Sequence, residues 1–251
     1  MTAVELISGA ARGIGAAIAR QRARPGCQLL LLDRNETALA EVAAACQQQG
    51  ARVACLHLDF ASDDWLPRLQ PLLQQHGRVD LLVNNAGIAD ENDAEDIAGW
   101  QRIMTINLEA PVRLTAACLP WMSCGGRIIN ISSILGRAGK VRNTGYCASK
   151  HGLLGYSKAL AMDLAPQGIT VNAVLPGWVE TPMLQQELAA QAEAIGSTSQ
   201  QVLRNARRQL PIKRLVAEAE VAAMVDYLAS PQAAAVTAQS LVIDGGFTCG
   251  M

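Results

Sequence analysis

The sequence lacks an excess of charge of either sign. Its 21 lysines and arginines nearly balance 22 aspartates and glutamates, which leaves a formal net charge of -1. Proteins that hold nucleic acid by its phosphates carry a basic excess or a basic stripe, so this balance argues against that class of partner. Charged residues are also few, at 17%, while 50% of the residues are hydrophobic. This composition excludes a disordered chain and predicts a large buried core.

Long apolar runs and metal-ligand patterns are missing as well. No run approaches the ~20 apolar residues of a membrane-spanning helix, so no membrane partner is expected. The first residues show no basic stretch followed by an apolar one, so we expect no signal peptide. The seven cysteines form no Cys-x-x-Cys pair and the three histidines lie far apart, which argues against a disulfide framework and against a metal site. We expect a soluble, cytoplasmic protein.

The 251 residues have the length of one large domain, and no linker, repeat or low-complexity segment divides them. Apolar segments alternate with longer segments in which apolar residues recur at helical spacing. Seven of the apolar segments are predicted strands: 4–8, 28–33, 52–59, 79–85, 126–133, 169–176 and 240–244. Several are apolar on both faces, which is typical of a parallel sheet covered by helices on both sides. We therefore expect one α/β domain over residues 1–251, with a polar insert at about 182–213.

A glycine-rich turn with the spacing Gly-x-x-x-Gly-x-Gly follows the first predicted strand. Gly9 permits a tight turn, and Gly13 and Gly15 let the backbone approach a pyrophosphate at the N-terminus of the next helix. Such turns also occur for structural reasons, so the turn alone leaves both readings open. The second strand ends in Asp33, where a carboxylate accepts hydrogen bonds from an adenosine ribose, although it also suits an N-cap. Turn and acid together predict dinucleotide binding.

Further motifs occur along the chain in a characteristic order. They are Gly9, Gly13-Ile14-Gly15, Asn84-Asn85-Ala86-Gly87, Asn107, Ser133, Tyr146-x-x-x-Lys150 and Pro176-Gly177. In these motifs the sequence resembles the short-chain dehydrogenase/reductase family over essentially the whole chain. The resemblance implies a doubly wound Rossmann-type fold with a seven-stranded parallel sheet and helices on both faces, a nicotinamide cofactor and a homotetramer.

Tyr146 and Lys150 lie four residues apart in a helix predicted over 145–165, so they share one helix face. Interconversion of a ketone and an alcohol needs a group that donates a proton to oxygen and removes it in reverse. A tyrosine has a pKa near ~10, and we expect the lysine ammonium to lower it. Ser133, at the end of a central strand, is placed to hydrogen-bond the substrate oxygen. These three residues predict the catalytic centre.

The family resemblance implies roles for further residues. Asn107 would complete a catalytic tetrad by holding a water that links Lys150 to solvent; the alternative is an asparagine that bonds a local carbonyl. Lys150 would also bond the nicotinamide ribose. The implied cofactor contacts are Gly9, Arg12, Gly13, Ile14, Gly15, Asp33, Arg34, Asp59, Asn85, Ala86, Gly87, Tyr146, Lys150, Pro176, Gly177, Val179 and Thr181. Among them, Asp59 would contact the adenine amino group, and Val179 and Thr181 the nicotinamide carboxamide.

Two features disagree about the cofactor. Arg12 and Arg34 suit the 2′-phosphate of NADP, whereas the Asp33 carboxylate suits the free ribose of NAD and repels a phosphate. At ~4 Å and an effective dielectric of ~20 such a like-charge pair costs about 4 kcal/mol, whereas an exposed ion pair returns only ~0–1 kcal/mol. We therefore predict NAD as the preferred cofactor, with NADP possible.

The sequence predicts an oxidoreductase that interconverts a secondary alcohol and a ketone, with a small-molecule substrate that is a polyol, a sugar or a small hydroxy acid. A 3-oxoacyl-(acyl carrier protein) reductase that uses NADPH is the alternative, and a non-catalytic nucleotide sensor is a third possibility. Basic residues between Ser133 and Tyr146 would favour an anionic substrate if one points inward; they are Arg137, Lys140 and Arg142. A solvated basic loop is the simpler interpretation.

Three local features depart from expectation. Glu5 interrupts the first predicted strand, and the sequence offers no reason for it. Arginines 20, 22 and 24 end the first helix, where we expect a solvated C-terminus. Ala238 stands near the last strand where glycine is frequent in similar chains, which predicts an altered final turn.

Overall fold

Seven parallel strands form one sheet in the computed structural model, which describes residues 2–250. The strands are β1 (Ala3–Ser8), β2 (Cys27–Asp33), β3 (Arg52–His57), β4 (Leu81–Asn84), β5 (Arg127–Ile131), β6 (Thr170–Pro176) and β7 (Ser240–Ile243). Their order across the sheet is β3-β2-β1-β4-β5-β6-β7. This confirms the doubly wound fold, and each predicted strand ends within about two residues of the observed one.

Helices connect the strands and cover both faces of the sheet. They are α1 (Gly13–Arg22), α2 (Glu36–Gln48), α3 (Trp65–His76), α4 (Ile97–Met104), α5 (Ala110–Cys118), α6 (Thr144–Leu164), α7 (Pro182–Ala194), α8 (Ser199–Gln209) and α9 (Glu218–Ala229). A π-helical turn, Thr105–Glu109, joins α4 to α5. The polar insert therefore folds as α7 and α8.

The central strands are apolar on both faces because each face contacts a separate hydrophobic core. Leu29 and Leu31 of β2 pack into the core shared with α1, α2 and α9. Leu30 and Leu32 point the other way, into the core shared with α3, α5 and α6. Alternate residues of a strand face opposite sides of the sheet, so an unbroken run of leucines fills both cores.

The order of the strands positions the functional site. β1 pairs with β2 on one side and with β4 on the other, so the chain reverses its direction of winding between them. In open parallel sheets, ligands bind beyond the carboxyl ends of the strands at such a switch point. Ser8 and Asn84 are the last residues of the two strands that meet there.

Glu5 is the buried centre of an ion cluster. Its side chain is 1% exposed and accepts hydrogen bonds from Arg22 Nε at 2.8 Å and Arg22 Nη2 at 2.6 Å, while Arg24 Nη2 lies 3.3 Å away. Arg22 also contacts Asp226 of α9. The expectation of a solvated helix end was thus wrong for Arg22, because a carboxylate buried in β1 requires a buried partner.

Candidate active site

The glycine-rich turn packs too closely to carry side chains at two of its positions. A Cβ added to Gly15 would lie 2.1 Å from the Gly9 carbonyl oxygen, and one added to Gly9 would lie 2.8 Å from Ala86 Cα. Gly9 and Gly13 also have φ angles of +66° and +60°, the left-handed region that favours glycine. The turn therefore holds its shape only with glycine at these positions.

The N-terminus of α1 has the features of an anion site. Its N-cap, Arg12, makes no side-chain capping bond, and its first turn carries no acidic residue. The helix itself therefore supplies no side-chain partner for its first amides and no acid at the positive end of its dipole. The space in front of Gly13 is lined by Thr181 and Glu218, whose Cγ2 and Oε1 would be 3.6 Å and 3.8 Å from an added Cβ. The glycine turn and the helix N-terminus fit the pyrophosphate of a dinucleotide.

A hydroxyl and an amide tie the end of β4 to the glycine turn. Ser8 Oγ accepts hydrogen bonds from the backbone N–H groups of Asn85 at 3.0 Å and Ala86 at 3.1 Å. Asn85 Nδ2 in turn donates to the carbonyls of Ser8 and Gly9, both at 3.0 Å. The segment that continues to Gly87 is thereby fixed against the turn.

Asp33 lies beside the glycine turn, as predicted. Its Oδ2 accepts a 3.0 Å hydrogen bond from the N–H of Ala11, and its Oδ1 accepts one of 2.9 Å from the N–H of Asn35. It does not cap α2, because Asn35 does so through a 3.1 Å bond from the N–H of Ala38. Arg12 and Arg34 are exposed, and neither has an ion-pair partner within residues 2–250. The carboxylate is held in place while the two guanidinium groups are free.

Asp59, the other predicted acid near the cofactor, lies two residues after the end of β3 and accepts a 2.9 Å hydrogen bond from the N–H of Ala61.

The segment that follows β6 lies on the opposite side of the site. Directly after Pro176, the N–H of Gly177 donates to the Ile243 carbonyl at 2.8 Å. Val179 forms an isolated parallel bridge with Val216. Thr181 Oγ1 caps α7 through a 3.2 Å bond from the N–H of Leu184.

The three predicted catalytic side chains come together at the carboxyl end of β5. Tyr146 and Lys150 lie in α6, and Ser133 follows β5 by two residues and hydrogen-bonds the Tyr146 side chain. Lys150 Nζ donates to the Ile131 carbonyl at 3.0 Å and lies 5.6 Å from the centre of the Tyr146 ring. A hydroxyl, a phenol and an amine are therefore neighbours in this cluster.

Burial shifts the titration of this cluster. It raises the pKa of Tyr146 above its ordinary value, against a smaller lowering by the hydrogen bond from Ser133. It also lowers the pKa of Lys150 to about 8. The expectation that Lys150 brings the pKa of Tyr146 down is thus not met in the protein alone, because burial dominates and Lys150 loses its proton at a lower pH than Tyr146 does.

Asn107 lies in the π-helical turn and is fully buried. Its Oδ1 accepts from the N–H of Ile88 at 2.9 Å and its Nδ2 donates to the Ile88 carbonyl at 2.8 Å, with Ser149 Oγ 3.3 Å away. A Cβ added to Gly87 would lie 3.2 Å from Asn107 Oδ1 and 3.6 Å from Lys150 Nζ. Asn107 therefore does not bond a local carbonyl of its own helix; it fixes the segment after β4 against Lys150.

The basic residues before Tyr146 are all engaged. Lys140 Nζ lies 3.5 Å from Glu187 Oε2 of α7 and 6.0 Å from the centre of the Trp178 ring. Arg137 Nη2 donates to the Ser240 carbonyl at 3.0 Å. Arg142 Nε lies 3.2 Å from Asp93 and 3.6 Å from Glu91, its two acidic neighbours.

Sequence reasoning did not single out Glu187, whose carboxylate the fold brings to Lys140. Burial raises the pKa of its carboxyl, the Lys140 ammonium lowers it, and Glu91 raises it. Its negative charge also contributes to the raised pKa of Tyr146, after the larger effect of burial. A single glutamate in a polar helix carries no sequence signal of this kind.

Within residues 2–250, no helix is long and apolar enough to cross a membrane. The same part of the chain holds no group of three or more histidine, cysteine, aspartate or glutamate side chains arranged to bind a metal ion.

Comparisons with known proteins agree with this geometry. Residues 9–248 match the family model described as "Enoyl-(Acyl carrier protein) reductase". The chain is 38% identical to a putative ketoacyl reductase of the monensin polyketide synthase of Streptomyces virginiae, over 97% of this chain and 96% of the relative. It is 36% identical to a 3-oxoacyl-[acyl-carrier-protein] reductase of Pseudomonas aeruginosa, over 97% of this chain and 96% of that relative. The chain belongs to the short-chain dehydrogenase/reductase family.

The solved structures include a variant of the actinorhodin polyketide ketoreductase with NADPH. It superimposes with a TM-score of 0.90 at 36% identity, and the match covers 98% of this chain and 97% of that one. The two chains therefore share the fold over nearly their whole length.

Proposed function

We propose that the chain is an NAD(P)-dependent oxidoreductase that interconverts a ketone and a secondary alcohol. The observation that carries this proposal is the meeting of Ser133, Tyr146 and Lys150 beside a glycine turn shaped for a dinucleotide. The relatives support it, because they are ketoreductases of the same family and one solved neighbour contains NADPH. A nucleotide sensor would not need this set of acid, base and cation.

When bound, the nicotinamide supplies or accepts the hydride. In reduction, Ser133 Oγ donates a hydrogen bond to the carbonyl oxygen and thereby stabilises the negative charge that develops there. Tyr146 Oη transfers its proton to the same oxygen, and the resulting phenolate is stabilised by the Lys150 ammonium. In oxidation the same proton returns to Tyr146.

Lys150 and Asn107 act together in placing the cofactor. We infer that Lys150 also holds the nicotinamide ribose, since its amine lies on the cofactor side of Tyr146, close to Gly87. Asn107 keeps the Gly87 segment at its distance from Lys150 through two bonds to Ile88. We propose that it acts through Lys150, as a positioning residue.

For the substrate we propose a ketone without a free carboxylate, of the 3-oxoacyl class. The relatives named for ketoacyl reduction support this class. The contacts of the basic loop support it too, because Lys140 and Arg142 are paired with carboxylates and Arg137 is bound to the Ser240 carbonyl of β7. Polyols and sugars are the second class to be tested.

For the cofactor we propose a preference for NAD(H). The backbone N–H groups of Ala11 and Asn35 orient the Asp33 carboxylate. In this orientation it is placed to accept hydrogen bonds from the hydroxyls of an adenosine ribose. A 2′-phosphate at the same place would meet a fixed negative charge, which the exposed Arg12 and Arg34 offset only weakly.

The test is a substrate screen with both cofactors. Ethyl acetoacetate and an N-acetylcysteamine 3-oxoacyl thioester would be reduced with NADH or NADPH, and polyols, aldoses and secondary alcohols would be oxidised with NAD at mildly alkaline pH. The Tyr146→Phe variant serves as the matched control for contaminating activity. We expect reduction of the 3-oxoacyl substrates; cofactor binding without turnover on any substrate would favour the sensor.

We also propose a homotetramer. Ile97 of α4 and Met162 of α6 leave 60% and 71% of their surfaces exposed on helices that pack against each other. Light scattering at micromolar concentration tests this, and a monomeric mass would contradict it.

A further inference from the structure

One side chain of α7 holds a charge at the entrance to the catalytic centre. Glu187 extends from α7 to Lys140, which belongs to the segment just before Tyr146. Lys140 lies between the Glu187 carboxylate, at 3.5 Å, and the Trp178 ring, at 6.0 Å. The Glu187 and Lys140 side chains keep only 30% and 33% of their surfaces exposed, so the pair is partly withdrawn from water. It connects the two segments that flank the substrate space.

Two carboxylates act on the electrostatics of this entrance. Glu187 acts on Tyr146, and Glu91 acts on Glu187. Lys140 is paired with Glu187, and Arg142 with Glu91 and Asp93, while Arg137 reaches away to the Ser240 carbonyl of β7. A substrate anion that approached Tyr146 would therefore meet the Glu187 carboxylate and would find the Lys140 ammonium already paired.

We propose that Glu187 is a specificity-determining residue that excludes substrates with a free carboxylate, because it occupies Lys140 and adds its own negative charge beside Tyr146. The inference rests on the proposed ketoreductase function and deepens it. Exclusion by an introduced like charge is an ordinary way to separate two similar substrates. Here the rejected class is the free 3-oxo acid and the accepted class is its ester, thioester or other neutral derivative.

The test compares two probes that differ only at the carboxyl group, acetoacetate and ethyl acetoacetate. The measured quantity is the ratio of kcat/KM for the acid to kcat/KM for the ester, so a general loss of activity cancels. The variant is Glu187→Gln, which keeps the shape of the side chain, removes its charge and leaves the Lys140 ammonium unpaired. The matched control is Glu193→Gln, which removes the same charge from an exposed position of the same helix.

We expect the ratio for Glu187→Gln to rise by about tenfold, the effect of one unit charge several ångströms away in partly screened surroundings. Glu193→Gln is expected to leave the ratio within about twofold of the wild-type value. Adding Lys140→Met to Glu187→Gln is expected to remove most of the gain. An unchanged ratio in Glu187→Gln would overturn the proposal, and so would a double variant that keeps the whole of the gain.

A failure of the proposed function is visible separately, as the absence of turnover on every ketone. The inference is then tested by calorimetric binding of butyrate and butyramide to the same variants. Glu187→Gln is expected to tighten butyrate binding by about tenfold relative to butyramide, for the same electrostatic reason. Equal changes for the anion and the amide would overturn it.

Discussion

The Lys150→Met variant is expected to change how the stability of the protein depends on pH. Burial lowers the pKa of Lys150 from 10.5 to about 8, while in the unfolded chain the lysine regains its ordinary value. Each pKa unit corresponds to ~1.36 kcal/mol, so the charged amine destabilises the folded state by about 3 kcal/mol at neutral pH. Methionine has a similar length and no charge, so the variant lacks this penalty.

The sign follows from proton linkage. Between pH 8 and 10.5 the unfolded chain holds a proton that the folded chain has released, so a rise in pH favours the folded state. The penalty is complete below pH 8 and disappears as the pH rises through the unfolded value. The free energy of unfolding of the wild type, relative to that of the variant, should therefore rise by about 2–3 kcal/mol between pH 7 and pH 10.

The assay is urea unfolding of both proteins, without cofactor, at several pH values from 7 to 10. Lys150→Met also leaves the Ile131 carbonyl without its 3.0 Å donor, which costs about 1–3 kcal/mol. That loss does not depend on pH, so the difference between the two curves isolates the titration of the amine. A difference that stays constant across this range would refute the reasoning, because it would mean that the amine titrates alike in both states.

Three further substitutions test the site and the last turn. Tyr146→Phe is expected to lower kcat by ~10²–10⁴-fold with little change in cofactor Kd, because the ring still packs while the proton donor is lost; a variant that keeps more than about a tenth of kcat would exclude Tyr146 as the acid. Asp33→Ser is expected to weaken NAD binding and raise kcat/KM for NADP; a wild-type kcat/KM for NADP at or above that for NAD would contradict the assignment. Ala238→Gly is expected to stabilise the fold by about 0.5–1 kcal/mol, since Ala238 has a φ of +58°, and an unchanged or lower urea midpoint would show that this turn is unstrained.

The sheet was predictable because each strand carries its own signal. The leucines of β2 face two cores at once, so the whole segment is apolar. A short run that is apolar at every position indicates a buried strand rather than a helix. Tyr146 and Lys150 were predictable for a similar reason, since their spacing along one helix fixes their relative placement.

Contacts between distant segments were not predictable. The partners of Lys140 and Arg142 come from α7 and from the loop after β4, and only the folded chain brings these carboxylates to the basic loop. The position of Asp33 was correct, but the cap of α2 belongs to Asn35, which is two residues further on. The pKa of Tyr146 depends on its burial, a property that the spacing to Lys150 does not contain.

The ion cluster around Glu5 also sets an order of events while the chain is being made. Glu5 and Arg22 are 17 residues apart, so they leave the ribosome almost together and are able to pair as soon as β1 and α1 form. Asp226 follows Arg22 by 204 residues, and at ~5–20 residues per second it arrives roughly 10–40 s later. Until then α9 is missing, and the face of α1 that packs against it stays open to water. The growing chain therefore exposes this apolar face of α1 until α9 is made, and exposed apolar surface of this kind makes an incomplete chain prone to aggregate.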